Sequence, residues 1–452
     1  MVGGLALGVK SPAPSSRVAP DRACTRMAGL GKLVPEVTPM GRPRTRLHMP
    51  LSLAKVIERR YGALGVPADF VLPGGQHVRL SDAPEVEVVA RTLRGLGALA
   101  RPALGRLARA YVRGDIDFSG SARRILGIAE RMVGDIHHGR VSLGERAASW
   151  LHQHRPNRAN ISSHYDVGDA FYRLWLDGRM VYSCAYFRCE DDPLAIAQEQ
   201  KLDHVCRKLR LAAGERLLDI GCGWGALIFW AAEHYGVEAT GITLSRNQAE
   251  HVAAEIRRRG LEGRVRVELR DYLDLPDQPC YEKIASIGMF EHVGVARFPQ
   301  YFGKIHRLLV PGGFVLNHGI THGMEGAAAL GSGIGDFVED YVFPGGELTH
   351  VARVISAMST AGLEVVDAEA LREHYAKTLW HWTDRLEANA DLARREAGEA
   401  RYRVWRVYMA GSAHAFERGW LSLWQLLAGR PFDDGALPHP LTRDYMYGSP
   451  VD

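Results

Sequence analysis

The chain has 452 residues, 46% of them apolar and 24% charged, the proportions of an ordinary globular protein with room for two or three domains. A formal charge of +4 is too small to argue for a nucleic-acid partner, and no apolar run approaches the roughly 20 residues that a membrane-spanning helix needs. Six cysteines with no paired Cys-x-x-Cys argue against a disulfide framework and a zinc site, so no metal is expected and the default compartment is a reducing cytoplasm.

Residues 1 to 48 are rich in Gly, Pro, Arg and Ser without periodicity, which predicts a disordered extension lacking the apolar stretch of a secretory signal. Met27, Met40 and Met49 leave open a downstream start; a targeting segment is the other reading. From Leu51 the texture changes. Leu53, Val56, Ile57 and Tyr61 fall at helical spacing, and Val71, Val78 and Leu80 around Pro73-Gly74-Gly75 predict a hairpin, opening a small mixed domain over residues 49–150. Within it, Val88 to Val112 carries Arg91, Arg94, Arg101, Arg106 and Arg109, with Arg113 just beyond, among leucines. This is either a solvated helical face or a basic amphipathic surface that docks on anionic phospholipid, at about 1 kcal/mol per arginine.

A polar stretch near 139–156 reads as a linker or exposed helix, followed by Asn160 to Gly168. Phe171, Tyr172, Trp175, Tyr182, Tyr186 and Phe187 then crowd around Ser183-Cys184-Ala185. Phe171 and Trp175 have the spacing of core residues; Tyr182 to Tyr186 has no clean period. Leu217 to Gly225 follows as Leu-Leu-Asp-Ile-Gly-Cys-Gly-Trp-Gly, a strand, a tight turn and the start of a helix. Glycines there admit left-handed backbone and close approach of a ligand. The dinucleotide fingerprint spaces its glycines differently, and no basic residue lies in this turn. A nucleoside without phosphate fits better. S-adenosylmethionine is such a ligand, and its cationic end suits Asp219.

Strands over 237–243, 265–269 and 283–287 alternate with helices, which predicts an α/β fold with a parallel sheet whose ligands sit outside its carboxyl edge. No acid ends the second strand, so Thr243 and Gln248 are neutral candidates for the ribose, while Asp271 is placed for the adenine amino group. The fourth strand runs into Gly288 to Gly294, which holds Glu291. His318 lies within a strand, where a lone histidine is ordinarily core, and Tyr375 is core by default.

These segments resemble the cyclopropane-fatty-acyl-phospholipid synthases and mycolic acid cyclopropane synthases. The similarity rests on His164-Tyr165-Asp166, Tyr182 to Tyr186, Leu218 to Gly225, Thr243-Leu244-Ser245, Met289 to His292, Phe343 to Gly346 and His374 to Leu379, in family order. It implies a Rossmann-like class I methyltransferase domain over 151–452. It further implies that Tyr182, Ser183, Gly221, Gly223, Thr243, Gln248, Asp271 and Tyr272 line S-adenosylmethionine, with Asp219, Gly225 and Ser245 in the same turns. Glu291, His318, Tyr375, Cys184 and the backbone of Ile320 would hold a bicarbonate, register favouring His318 over His292 and His322. In this family the cofactor methylates a cis double bond of an acyl chain, the bicarbonate removes a proton and a cyclopropane closes.

The partners so implied are an unsaturated acyl lipid, the inner face of the membrane in peripheral contact, and a second copy in a homodimer. Some relatives carry a cysteine where this chain has Ser412, and serine is no thiolate at neutral pH. Two other functions stay open: methyl- or methylene-branched fatty acid synthesis or small-molecule N- or O-methylation on the same fold, and lipid binding without turnover.

Overall fold

The computed structural model describes residues 52–134, 168–323 and 347–448, with Phe337 and Tyr341 between them. The 1–48 extension, the 139–156 linker, the His164 and Phe343 matches and nearly all of the loop between Gly323 and Phe343 lie outside the described residues.

The first elements build a small sheet. Helix α1 (Ser52–Tyr61) precedes β1 (Ala68–Val71), β2 (His77–Arg79) and β3 (Val86–Ala90); α2 (Leu93–Ala100), α3 (Leu104–Val112), β4 (Ile116–Ser119) and α4 (Ala122–Val133) follow. The order is β2-β1-β3-β4, with β1 and β2 forming the expected antiparallel hairpin, β1 parallel to β3, and β3 antiparallel to β4. The arginine-rich run is not one helical face. Val86 to Ala90 alternates buried and half-buried residues and pairs as a strand, so Val88 sits in a sheet. Thr92 then caps α2 by accepting a hydrogen bond from the Gly95 N–H, and Pro102 follows its end.

The larger sheet begins after α5 (Asp169–Arg173) and α6 (Leu194–Lys208). Strand β5 (Arg216–Ile220), α7 (Ala226–Tyr235), β6 (Glu238–Thr243), α8 (Arg246–Arg259), β7 (Val265–Leu269), β8 (Tyr281–Ile287), α9 (Phe298–Leu308) and β9 (Leu309–His322) alternate as the sequence predicted. Helix α10 (Val351–Thr360), β10 (Glu364–Ala370), α11 (Arg372–Ala388), α12 (Ala390–Ala397), α13 (Glu399–Glu417), β11 (Leu421–Gly429) and α14 (Asp444–Tyr447) complete it. The strand order is β10-β11-β9-β8-β5-β6-β7. Strands β5 to β9 run parallel, and β11 lies antiparallel between β9 and β10. The fold is thus α/β with a mostly parallel seven-stranded sheet.

The two sheets belong to one compact unit, joined through α13. Arg406 of α13 donates to Tyr111 Oη at 3.0 Å, to the Gly120 carbonyl at 2.7 Å and to Glu387 at 2.7 Å. A buried guanidinium with its donors satisfied fixes geometry as well as charge. Among the described residues no helix is long and apolar enough to cross a membrane.

Candidate active site

The parallel strands β5, β6, β7 and β8 deliver their following turns to one edge of the sheet. Gly221 and Gly225 take φ of +83° and +86°, in the left-handed region that residues with a Cβ enter at a cost. A Cβ on Gly221 would lie 3.2 Å from the Met289 side chain, so the turn after β5 and the turn after β8 are packed together. Asp219, one residue before the end of β5, is buried with its Oδ1 unpartnered. Burial pushes its carboxyl up to about 7, opposed by the charge of Lys201. After β6, Thr243 Oγ1 donates to Gln248 Oε1 at 2.8 Å, both side chains buried. Ser245 serves as the N-cap of α8, its hydroxyl accepting from the Gln248 N–H at 3.4 Å. Asp271 likewise accepts from the Leu273 N–H at 3.0 Å, and Tyr272 packs edge-on against Tyr301.

The irregular segment from Tyr182 to Phe187 is laced to helices on both sides. The Ala185 and Phe187 N–H groups donate to Thr378 Oγ1 and His374 Nδ1 of α11, both at 3.0 Å. Those contacts account for the histidine and threonine of the His374 to Leu379 motif. On the other side, Gln198 of α6 donates to the Ser183 carbonyl and Lys201 Nζ to Ser183 Oγ, both at 2.9 Å. Tyr182 packs within 5.4 Å of the Trp175 and Trp382 ring centroids and 6.1 Å of Trp405, at the edge of an aromatic cluster.

Glu291 stands just past β8, its Oε1 accepting from the Ile320 N–H of β9 at 2.7 Å. Its Oε2 is buried and unpartnered, and burial raises the carboxyl to about 7. Gly319 permits this, since a Cβ there would intrude on the Phe290 ring and come 3.0 Å from Glu291 Oε1. His318, 1% exposed, holds Nδ1 3.2 Å from the Gln425 amide nitrogen, which can only donate. Its Nε2 is also buried and unpartnered. Burial, with Lys201 and Lys208 nearby, keeps the imidazole neutral. Cys184 is fully buried, its thiol directed at the Ala185 carbonyl 3.1 Å away and held un-ionised by burial. Tyr375, on α11, packs against Phe416 at 4.8 Å and Trp382 at 6.1 Å.

The glycine turn and the buried carboxyls of Asp219 and Glu291 therefore share one end of the sheet. The profile of the family described as mycolic acid cyclopropane synthetase matches residues 152–426. The chain belongs to the mycolic acid cyclopropane synthetase family. It is an S-adenosylmethionine-dependent methyltransferase. A probable fatty acid methyltransferase of Pseudomonas putida is 41% identical over 85% of this chain and 97% of its own length. Among solved structures, the cyclopropane synthase MmaA2 from Mycobacterium tuberculosis is 34% identical with a TM-score of 0.58, covering 61% of this chain and 98% of its own. The mycolic acid cyclopropane synthase CmaA1 complexed with SAH and CTAB is 37% identical with the same TM-score, covering 61% and 99%. The small sheet lies N-terminal to the stretch matched by the family profile.

Against this family frame, the structure brings the glycine turn, Thr243, Gln248, Asp271 and Tyr272 to one sheet edge. It joins Glu291 to Ile320 directly, while His318 bonds Gln425 and the Cys184 thiol faces backbone. Sequence reasoning missed Gln198 and Lys201. Their signal was a lysine on the inward face of α6, three residues after a glutamine, just ahead of the glycine-turn strand.

Proposed function

We propose that this protein transfers a one-carbon unit from S-adenosylmethionine to the cis double bond of an unsaturated phospholipid acyl chain, yielding a cyclopropane. The observation that carries the reading is Glu291: a buried carboxyl, fixed through one oxygen, unpartnered at the other, and ionising near neutrality beside the glycine turn. Such a group shares a proton readily with a small anion, and the Nε2 of the neutral His318 is a second buried polar atom without a partner. Both fit a bicarbonate, which would supply the base that removes a proton from the added carbon. Cys184, Tyr375 and the Ile320 backbone complete the set that the family resemblance assigns to it. Tyr182, Ser183, Asp219, Gly221, Gly223, Gly225, Thr243, Ser245, Gln248, Asp271 and Tyr272 would hold the cofactor, which supplies an electrophilic methyl. The aromatic cluster at Tyr182 offers ring faces that stabilise a carbocation on the acyl chain without being alkylated as a thiolate or carboxylate would be.

A half-open hollow with an apolar lining supports a lipid substrate. Leu107, Tyr111, Phe118, Leu126, Gly411 and Ser412 are among its walls, so α13 and the small sheet share it. Exposed Arg94, Arg101 and Arg106, beside a 74% exposed Leu93, support peripheral contact with the anionic inner face of the membrane. Residues 49–150 would then act as a docking or dimerisation domain. The test is incubation with S-adenosylmethionine and unsaturated phospholipid vesicles, followed by NMR of the lipid. Cyclopropane ring protons are expected; a methylated product without them would instead indicate a branched chain. Release of S-adenosylhomocysteine distinguishes both from lipid binding without turnover.

A further inference from the structure

Lys201 is a buried cation that the proposed chemistry leaves without a task. Its side chain is 1% exposed, and among the described residues its hydrogen-bond acceptor is Ser183 Oγ, 2.9 Å from Nζ. No carboxylate reaches it within ion-pair distance there, although Asp177 and Asp219 contribute to its field. Burial lowers the ammonium to about 8, so it stays charged at neutral pH. An isolated cation in a protein interior is costly, and an arrangement that retains one has an anion or a strong dipole to meet it.

The contact with Ser183 is not needed to hold the segment in place. Gln198 already bonds the Ser183 carbonyl, Thr378 the Ala185 N–H, and the Ala197 carbonyl the Tyr186 N–H at 3.0 Å. What the lysine adds is direction. An ammonium can only donate, so it occupies a lone pair of Ser183 Oγ and leaves the serine proton to be donated elsewhere. Ser183 is half-buried, and Asp219, whose charge acts on the same Lys201, is a buried acid with an unpartnered oxygen.

We propose that Lys201 is a positioning residue for the amino-acid end of the cofactor: it aims the Ser183 hydroxyl proton at that end's carboxylate and supplies the positive field that matches it, while Asp219 faces the ammonium. The two opposite charges select a zwitterion, and the adenosine end is held independently by the turns after β6 and β7. This inference rests on the reading that the site binds S-adenosylmethionine.

The experiment is calorimetric binding of two probes to the full chain. S-adenosylhomocysteine carries the amino-acid end; 5′-methylthioadenosine has the same adenosine and thioether without it. Lys201→Met, close in shape and uncharged, is expected to weaken S-adenosylhomocysteine by about 10- to 100-fold, the range of one charge-assisted hydrogen bond. Binding of 5′-methylthioadenosine should change less than about threefold. Ser183→Ala should give a selective loss of the same kind, and the double variant should lose clearly less than the sum of the two single losses. An equal loss for both probes would make Lys201 a merely structural residue, and full additivity in the double variant would separate it from Ser183; either outcome overturns the proposal. Retained affinity for both probes in Lys201→Met overturns it as well. Wild-type protein that binds neither probe would instead refute the cofactor reading itself.

Discussion

Replacing Glu291 by glutamine tests whether that carboxyl is as strained by burial as its surroundings indicate. Glutamine keeps the shape and the acceptor for the Ile320 N–H. Burial raises the Glu291 carboxyl from 4.5 to about 7, two and a half decades of proton affinity, or about 3 kcal/mol at 1.36 kcal/mol per decade. For an acid whose folded value is raised, the folded state binds the proton more tightly. The corresponding stability is fully present below about pH 4.5 and is lost as pH rises through 7. Wild-type protein should therefore lose about 3 kcal/mol relative to Glu291→Gln between pH 4 and 8. The pH-independent cost of burying an unmatched amide shifts the variant's curve without tilting it, and Asp219 titrates alike in both. Urea denaturation across that range, followed by tryptophan fluorescence, measures the difference. A difference that stays flat within about 0.5 kcal/mol would show that Glu291 ionises as an ordinary carboxylate, and the argument for its proton-sharing role would fall. In turnover assays the same variant is expected to lose activity severely while S-adenosylhomocysteine still binds.

Gly225→Ala places a Cβ 2.8 Å from Phe229 at a φ of +86° and should cost about 1–3 kcal/mol in the same denaturation assay. Cys184 is fully buried and its thiol is held un-ionised, so iodoacetamide at pH 8 should modify the exposed Cys189 before Cys184, with peptide mass spectrometry reporting the order. Ser412 lines the apolar cavity, so Ser412→Trp should reduce turnover on lipid vesicles about tenfold or more without changing S-adenosylhomocysteine affinity, whereas Ser412→Cys should leave turnover near that of the parent. Arg94→Glu with Arg101→Glu should weaken sedimentation with anionic vesicles by about fivefold per positive charge removed in low salt and spare neutral ones.

The sequence by itself determined the elements whose rules are local. Asp219 to Gly225 demanded a left-handed turn between a strand and a helix, because only glycine accepts those dihedrals cheaply. The short strands ending at Thr243, Leu269 and Ile287, alternating with helices, gave a parallel sheet, and with it a common carboxyl edge. The arginine-rich run misled because charge on a surface says nothing of period, whereas the Val86 to Ala90 alternation was short and easily read as helix.

Only the tertiary structure decided what meets at the edge. Lys201 and Gln198 come to Ser183 because α6 turns its inner face toward a segment with no period of its own. Glu291 is raised toward neutrality because Gly319 lets it pack against β9 out of water, a consequence of strand register between residues 28 apart in the chain. The cavity beside Ser412 exists because Arg406 fastens α13 to the small sheet. Burial and long-range register set the energies of these groups, and neither is encoded in the spacing of neighbouring residues.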